Sequence, residues 1–161
     1  MIVVSNTSPL IGLATIGQLN LLQQLYSNII IPQAVYDEIT ALDTQDACSI
    51  AVQTFTWIQT TAVTNSAIIA TFPKKLDLGE TEAIALAMEI GADLLLIDDE
   101  SGRKVARSLG IKLIGVLGVL IRAKRMGLIA AVKPVMDRLI VEAGYWIDNN
   151  LYNEVLQQVG E

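Results

Sequence analysis

Carboxylates concentrated in one stretch are the residues of this sequence best suited to chemistry. Residues 74–102 hold eight acidic side chains against two lysines, and Asp98 directly follows the aliphatic run Leu94–Ile97. In α/β proteins, ligands bind beyond the carboxyl ends of the strands, which is where such a side chain would lie. Oxygen-rich clusters select Mg²⁺ or Mn²⁺, so the acidic block indicates a divalent-cation site.

A basic block follows the acidic one. Residues 103–138 hold nine basic side chains against Asp137 alone, although the whole chain has a formal charge of −6. Basic residues beside a metal site suit phosphodiester hydrolysis, because the metal activates water while Lys and Arg neutralise flanking phosphates. The same pattern is typical of solvated helix faces, so the charges alone leave both interpretations open.

Each acidic residue of the block also has a purely structural interpretation. Asp98 and Asp99 should point in opposite directions, one into the site and the other capping the next helix. Asp77 and Glu80 have the spacing of a capping box. Glu80 and Glu82 lie about 200° apart around a helix, so they cannot be close neighbours on one ion.

Two further polar residues, Glu38 and Asn6, carry weaker signals. Glu38 lies in the helix predicted after Pro32, where it is typical of a residue at the edge of an exposed flank. Asn6 ends the first predicted strand, where asparagine commonly forms a turn or caps a helix. Neither residue on its own predicts a site.

The absence of histidine and the single Cys48 exclude several function classes. Without histidine, a histidine-containing catalytic triad and an imidazole metal site are both excluded. A single cysteine can form neither an internal disulfide nor a Cys-rich zinc site. No phosphate-binding glycine loop occurs. The longest clean apolar run, Leu113–Ile121, is half the ~18 residues that a membrane span needs. We therefore expect a cytoplasmic protein without a membrane partner, whose surplus of apolar residues forms a deep core and an oligomer interface.

Short aliphatic runs alternate with helical patterns along the whole chain. The predicted strands are Ile2–Val4, Asn28–Ile31, Trp57–Gln59, Leu94–Ile97 and Ile111–Ile114. The predicted helices are Leu10–Ile16 (capped by Ser8), Gln18–Tyr26, Pro32–Ile39, Ala47–Phe55, Asp77–Ile90, Asp99–Leu109, Val116–Met126, Pro134–Ala143 and Asn149–Val159. Strands without polar alternation, each followed by a helix, predict a sheet covered on both faces. We predict one domain over residues 1–161, a three-layer α/β/α fold with a mostly parallel sheet of about five strands.

Four segments together resemble the PIN domain, the metal-dependent ribonuclease fold of VapC-type toxins. They are VSNTSPLIGL, IPQAVYDEI, LDLGETEAIALAMEIGADLLLIDDESGRKVARSLGI and GVLGVLIRAKRMGLI, and they look closest to a prokaryotic PIN-like branch. The spacing of GETEA and LLLIDD is the most specific part. The resemblance implies a parallel sheet, acidic residues at one end of it, Mg²⁺ or Mn²⁺ as cofactor, and RNA as substrate. It also implies a dimer and an antitoxin protein as partners.

The resemblance assigns site residues by position. Glu38, Glu80 and Asp98 match the second, third and fourth acidic positions of the family, whereas Asn6 stands where the first, usually Asp, is expected. This implies a catalytic site of all four residues, with the three carboxylates ligating the metal and Asn6 orienting a metal-bound water. An amide supplies an oxygen without charge, so cation binding should be weakened.

Other charged residues complete the implied site. Glu82 and Asp99 are further candidate ligands that would compensate in part for the lost charge at position 6. Arg103, Lys104 and Arg107 are the candidate contacts to RNA phosphates, although Arg103 could instead pair with an acid and leave no metal site.

Two functions from different classes stay open on the sequence. One is a Mg²⁺/Mn²⁺-dependent ribonuclease, in its most specific form the toxin of a toxin–antitoxin pair. The other is a catalytically attenuated PIN-like module that binds nucleic acid or protein without cleavage, which Asn6 favours. A phospho-accepting receiver domain fits poorly, because its acidic pair should follow the first strand rather than a late one.

Overall fold

A computed structural model of the protein describes residues 1–161 and contains five strands and ten helices. The strands are β1 Val3–Ser5, β2 Ile29–Pro32, β3 Ile58–Thr61, β4 Leu94–Leu96 and β5 Leu113–Ile114. The helices are α1 Thr7–Thr15, α2 Asn20–Tyr26, α3 Gln33–Thr40, α4 Ala47–Thr54, α5 Ser66–Ile69, α6 Leu78–Glu89, α7 Glu100–Ser108, α8 Val116–Arg125, α9 Lys133–Val141 and α10 Asn149–Gln158.

All five strands join one parallel sheet in the order β3-β2-β1-β4-β5. In the centre, Val4 is in register with Ile30 of β2 on one side and with Leu95 of β4 on the other. Along the chain, β2 and β3 are added on one side of β1, and β4 and β5 are then added on the other side. The strand order therefore reverses beside β1, and such a reversal opens a crevice at the carboxyl ends of the strands.

Helices cover both faces of the sheet, which confirms the predicted three-layer architecture. A cluster of 28 buried apolar residues lies on one face, where α1, α2, α3, α4, α8, α9 and α10 contribute side chains. A smaller cluster of nine lies on the other face, with side chains from α6 and α7. Because successive strand residues point to opposite faces, Val3 belongs to the larger cluster and Val4 to the smaller one.

The structure differs from the sequence prediction mainly at the ends of elements. The prediction that Ser8 caps the first helix is wrong, because α1 begins at Thr7 with Asn6 as its N-cap residue. Pro9 is accommodated in the first turn, where a backbone N–H has no partner within the helix. The short helix α5 was not predicted. No helix is long and apolar enough to span a membrane.

Candidate functional site

The residues that the sequence singled out lie at the carboxyl edge of the sheet. Asn6 directly follows β1, and Asp98 lies two residues beyond the end of β4. The backbone N–H of Asn6 donates to the carbonyl of Leu96 at 2.9 Å, which ties the exits of these two strands together. Glu38 lies in α3, which follows β2, and Glu80 lies in the first turn of α6, which packs against β1, β2 and β4.

The Asp98 carboxylate is half-buried and held by two donors. Its Oδ1 accepts the backbone N–H of Val116 at the start of α8, at 2.9 Å, and its Oδ2 lies 3.0 Å from the hydroxyl of Tyr145, whose single proton also has the carbonyl oxygen of Ser8 within reach at 2.8 Å. Burial raises the pKa of Asp98, whereas these two hydrogen bonds and the charge of Arg103 favour its ionised form. Burial and the charge of Asp98 raise the pKa of Tyr145, so its hydroxyl stays protonated and able to donate.

Glu80 is buried in a different environment. It forms the predicted capping box, in which its backbone N–H donates to Asp77 Oδ1 at 2.8 Å and its Oε2 accepts the backbone N–H of Asp77 at 3.2 Å. The residue is 8% exposed. Desolvation raises the pKa of Glu80 to about 7, and the negative charges of Asp77 and Asp99 act in the same direction.

Glu38 lies where α3 packs against α6. Its Oε2 accepts the hydroxyl of Thr7 at 2.6 Å. Gly79 leaves the space for its other oxygen, because a Cβ at that position would lie 2.7 Å from Glu38 Oε1. Glu38 is thereby brought beside the residue that precedes Glu80, although its side chain stays exposed.

Asn6 has an unpaired oxygen at the centre of this edge. The residue is 3% exposed and takes the N-cap position of α1, yet its side chain makes no capping hydrogen bond. Its Oδ1 is buried and has no hydrogen-bond partner. Because nearly all buried polar atoms in proteins are paired, this oxygen points to a partner such as a water or a cation.

The structure brings these residues to one edge without closing them into one ligand cluster. Glu38 approaches the start of α6, and Glu80 lies beside Asp99, whereas Asp98 is turned toward α8 and Tyr145. No three acidic side chains are grouped closely enough to hold a metal ion. The reason is that each carboxylate already accepts hydrogen bonds from its own donors. The assignment of Glu38, Glu80 and Asp98 as ligands stays a prediction.

The two further candidate ligands both act in helix packing. Glu82 Oε1 accepts the backbone N–H of Ala34 in the first turn of α3, at 3.1 Å, so it points away from Glu80 as its helical spacing predicts. Asp99 caps α7 by accepting the N–H of Gly102 at 3.2 Å. Asp99 nevertheless stays close enough to Glu80 to affect its pKa.

A cleft of about 420 Å³ opens beside Asp98, and Arg103, Arg107 and Leu151 are among its lining residues. Arg103 is half-buried and donates to the carbonyl of Ile97 at 2.8 Å rather than forming an ion pair with a carboxylate. Arg107 lies 3.3 Å from Glu100 in an exposed pair. Lys104, the third predicted phosphate contact, is exposed but does not line this cleft.

Sequence reasoning missed Tyr145, which lies 47 residues beyond Asp98. The glycine at position 12, inside a predicted helix, was the only local signal. A Cβ there would lie 2.6 Å from a ring carbon of Tyr145, so Gly12 gives the aromatic ring its place against α1.

The donor atoms at this edge are of the type that a hard divalent cation takes, although the acids do not converge on one position. Every candidate ligand offers oxygen, the kind of donor that Mg²⁺ and Mn²⁺ prefer, and the unpaired Oδ1 of Asn6 is a neutral member of the set. The acidic surroundings of Glu80 supply the charge that such an ion would neutralise.

Comparisons with known proteins agree with this architecture. No curated protein sequence matches the chain. The structure is similar to that of a PilT N-terminus domain protein from the hyperthermophilic archaeon Sulfolobus solfataricus P2, with a TM-score of 0.56 and 20% sequence identity over 76% of this chain and 93% of the other. That identity supports the fold alone. A family model described as DUF3368, PIN domain, matches residues 2–161. The chain therefore belongs to the DUF3368 family of PIN domains, as the resemblance of its segments predicts.

Proposed function

We propose that this protein is a Mg²⁺- or Mn²⁺-dependent endoribonuclease that cleaves single-stranded RNA. Membership of the PIN domains makes the chain a nuclease-like module, and PIN domains generally depend on divalent metals. The single observation that carries the proposal is the buried, unpaired Oδ1 of Asn6, at the strand ends where Glu80 and Asp98 also lie. A bound cation would give this oxygen a partner and would neutralise the acidic side chains around it.

The roles of the acidic residues follow from their positions. Glu80, Asp98 and Glu38 would hold the cation directly or through water, and Asn6 would orient one of those waters. The bound cation supplies an activated water and positive charge at the scissile phosphate. Glu80 has to release its proton before it can ligate, so its raised pKa ties the reaction to neutral or higher pH.

The cleft beside Asp98 is suited to the RNA backbone. Arg103 is fixed by its hydrogen bond to a main-chain carbonyl, which preorganises its guanidinium group. The exposed pair of Arg107 with Glu100 stabilises the chain little, so a phosphate can replace the carboxylate at low cost. Lys104 would extend the positive surface along α7.

An exposed aromatic side chain supports single-stranded RNA as the substrate. Trp146 is 85% exposed and lies in the segment that joins α9 to α10. The same segment places Tyr145 on Asp98, and Leu151 just beyond it lines the cleft. Unpaired bases stack on such aromatic platforms, whereas bases inside a duplex do not offer their faces.

Cleavage of labelled RNA tests the proposal. We expect the wild type to cleave single-stranded RNA in Mg²⁺ or Mn²⁺, and both a chelator and Asp98→Asn to abolish cleavage. The matched control is Asp93→Asn, which makes the same change just before β4, where Asp93 accepts the N–H of Ile2 at 2.6 Å. Cleavage that persists in Asp98→Asn, or that is lost equally in both variants, would contradict the assignment.

A second function, an attenuated PIN-like module that binds RNA or protein without cleaving, is favoured by the neutral Asn6 and by the open arrangement of the acids. It predicts RNA binding that is sensitive to salt but needs no metal. The variant Asn6→Asp separates the two. A large gain of cleavage in that variant, from a wild type without activity, would establish that the natural site is attenuated.

The proposal extends to partners. A toxin of this kind would act in the cytoplasm, held inactive by an antitoxin protein, and would assemble as a homodimer. Val141 is 82% exposed on α9, and Met126 is 64% exposed at the end of α8, so apolar surface is open for such contacts. Sedimentation of the purified chain should give the mass of a dimer.

A further inference from the structure

The cleft of about 420 Å³ beside Asp98 has an apolar part and a charged part. Four aliphatic side chains line the apolar part: Leu113, Ile114, Leu117 and Leu151. Two arginines and two carboxylates line the charged part: Arg103, Arg107, Asp98 and Glu100. An apolar surface with a few polar groups, in a volume of roughly 300–1,000 Å³, is typical of pockets that take small organic ligands. The cleft therefore fits an organic ring with a polar edge better than it fits a bare anion.

The charged groups of the cleft differ in exposure and in pairing. Arg107 and Glu100 form an exposed pair at 3.3 Å, whereas Arg103 and Asp98 are half-buried. The half-buried groups both lie against Gly115, because a Cβ there would lie 3.1 Å from Arg103 Nη1 and 2.6 Å from Asp98 Oδ1. Neither of them belongs to any of the four ion pairs of the chain. A donor group and an acceptor group thus lie side by side in the cleft without neutralising each other directly.

Arg103 keeps most of its hydrogen-bond donors free. Its Nη1 donates to the carbonyl of Ile97 at 2.8 Å, and its side chain makes no other hydrogen bond within the chain. A guanidinium group has five N–H donors in a rigid fork, so four are left for a ligand. Because the bond to Ile97 holds the group at the end of β4, a ligand meets donors that are already oriented.

Guanine is the base that matches this group best. Its O6 and N7 are neighbouring acceptors that take two donors of an arginine fork, which is the commonest specific contact between protein and base. Adenine and uracil have no two neighbouring acceptors. Cytosine has O2 and N3, but its single ring would cover less of the apolar part of the cleft. The negative charge of Asp98 beside the fork favours a donor next to the acceptors, as the N1–H of guanine is.

We propose that the half-buried part of this cleft, lined by Arg103, Gly115 and Leu117, is a specificity pocket for a guanine base of single-stranded RNA. The inference rests on the proposed function for RNA as the ligand, but it requires neither a bound metal nor cleavage. Bases of single-stranded RNA can leave the stack and be recognised on their edges, which bases in a duplex cannot. Arg103 selects the base, while Arg107 at the exposed rim contacts phosphate and Trp146 stacks on a neighbouring base.

Fluorescence anisotropy with labelled heptanucleotides tests the proposal, with a chelator present so that no cleavage occurs. The probes are a run of uridines and the same run with a central guanosine, adenosine or cytidine. We expect the guanosine probe to bind about 10-fold more tightly than the other three. A probe with central 7-deazaguanosine, in which carbon replaces N7, should lose most of this preference. That comparison changes only the ligand, so it is independent of the stability of any protein variant.

Arg103→Gln should reduce the preference for guanosine to within about twofold. The matched control is Arg107→Gln, which removes the arginine one turn further along α7 in the same cleft. It should weaken the binding of all four probes by the same factor and leave the preference unchanged. Thermal unfolding of both variants checks that Arg103→Gln, which loses the bond to Ile97, is still folded at the temperature of the titrations.

The outcomes separate this inference from the proposed function. Equal binding of the four probes by the wild type would overturn the pocket and leave RNA as the substrate. A preference for another base, or one that persists both with 7-deazaguanosine and in Arg103→Gln, would also overturn it. Selective binding of the guanosine probe by a chain that cleaves no RNA would support the pocket and contradict the proposed nuclease. If no probe binds, both fall.

Discussion

The two flanks of the candidate site differ in how their carboxylates are compensated. On one flank, Asp98 faces a backbone N–H, the hydroxyl of Tyr145 and the positive charge of Arg103. On the other, Glu80 faces the like charges of Asp77 and Asp99, and none of the four ion pairs of the chain involves it. Both residues are desolvated, yet only Asp98 has donors from two separate elements.

The two flanks should therefore govern different steps of binding. Under the proposed function the charge of Glu80 is left for the cation to neutralise, so this flank would supply the electrostatic attraction for the metal. Asp98 is already oriented by its donors, and its flank continues into the cleft with Arg103 and Arg107, so this flank should receive the phosphates. The following changes test that division.

Glu80→Gln should have the largest effect and the clearest sign. Loss of the carboxylate should weaken Mn²⁺ binding and RNA cleavage by about 100-fold, at the upper end of what is seen even for groups that only orient a ligand. At pH 8 without metal the variant should be more stable than the wild type, because a desolvated charge is gone. For Asp98→Asn the gain should be smaller, because the hydrogen bonds from Val116 and Tyr145 and the charge of Arg103 offset part of the same desolvation.

Calorimetric Mn²⁺ titrations and thermal unfolding measure both quantities. Glu82→Gln is the matched control on the same helix, because that side chain binds the N–H of Ala34 and should leave Mn²⁺ affinity unchanged. Equal losses of Mn²⁺ affinity in Glu80→Gln and Glu82→Gln would contradict the assignment of Glu80 as a metal ligand.

The pH dependence should have opposite signs with and without metal. Glu80 has a pKa of about 7 in the folded chain against an ordinary value of 4.5. Between these values the folded chain holds a proton that the unfolded chain has released, so stability without metal should fall as pH rises. Mn²⁺ affinity should rise over the same interval by up to about 10-fold per pH unit, since ligation requires the proton to leave. In Glu80→Gln both the stability and the Mn²⁺ affinity should depend less on pH. If either pH dependence persists, another group causes it.

Trp146→Ala tests whether the Asp98 flank receives the RNA. Because stacking of a base on an aromatic ring contributes about 1–3 kcal/mol, we expect the affinity for single-stranded RNA to fall about 10-fold. The Mn²⁺ affinity should not change. Ile50→Ala, which removes another exposed apolar side chain, on α4, is the control, and fluorescence anisotropy with labelled RNA is the measurement. Equal effects of the two substitutions would place the RNA elsewhere.

Arg107→Gln should have the smallest effect. One lost phosphate contact should reduce the slope of log affinity against log salt by about 0.7 for a single strand. Arg125→Gln, at the end of α8 and outside the cleft, should leave the slope unchanged. Anisotropy titrations at several salt concentrations give both slopes, and an unchanged slope in Arg107→Gln would exclude this residue from the interface.

The fold was largely predictable because its signals are local. Aliphatic runs such as Leu94–Leu96 mark buried parallel strands, and the capping box of Asp77 and Glu80 marks the start of α6. The start of α1 was not predictable from Ser8 and Pro9, because Asn6 takes the N-cap position without using its side chain as a cap. Its N–H donates to the carbonyl of Leu96 across the sheet, so the strand pairing reaches Asn6 and the helix begins just after it.

The candidate site was predictable only in part, for a physical reason. That Asp98 and Asp99 point apart follows from strand alternation, and the capping role of Glu80 follows from spacing. The hydroxyl of Tyr145 on Asp98 depends instead on how the segment after α9 packs against Gly12. No local pattern encodes a contact between residues so far apart in sequence.

The unequal size of the two apolar clusters has a consequence for motion. Glu80 and Asp99 belong to the layer formed by α6 and α7, which rests on the cluster of nine residues, whereas Tyr145 belongs to the layer that rests on the cluster of 28. Segments with fewer buried contacts open at lower free energy than the molecule unfolds. Amide hydrogens of α6 and α7 should therefore exchange with deuterium sooner than those of α1 and α8. Such partial opening would move Glu80 and Asp99 relative to Asp98 while most of the chain stays folded, so the arrangement of acids at this edge should be shorter-lived than the native fold.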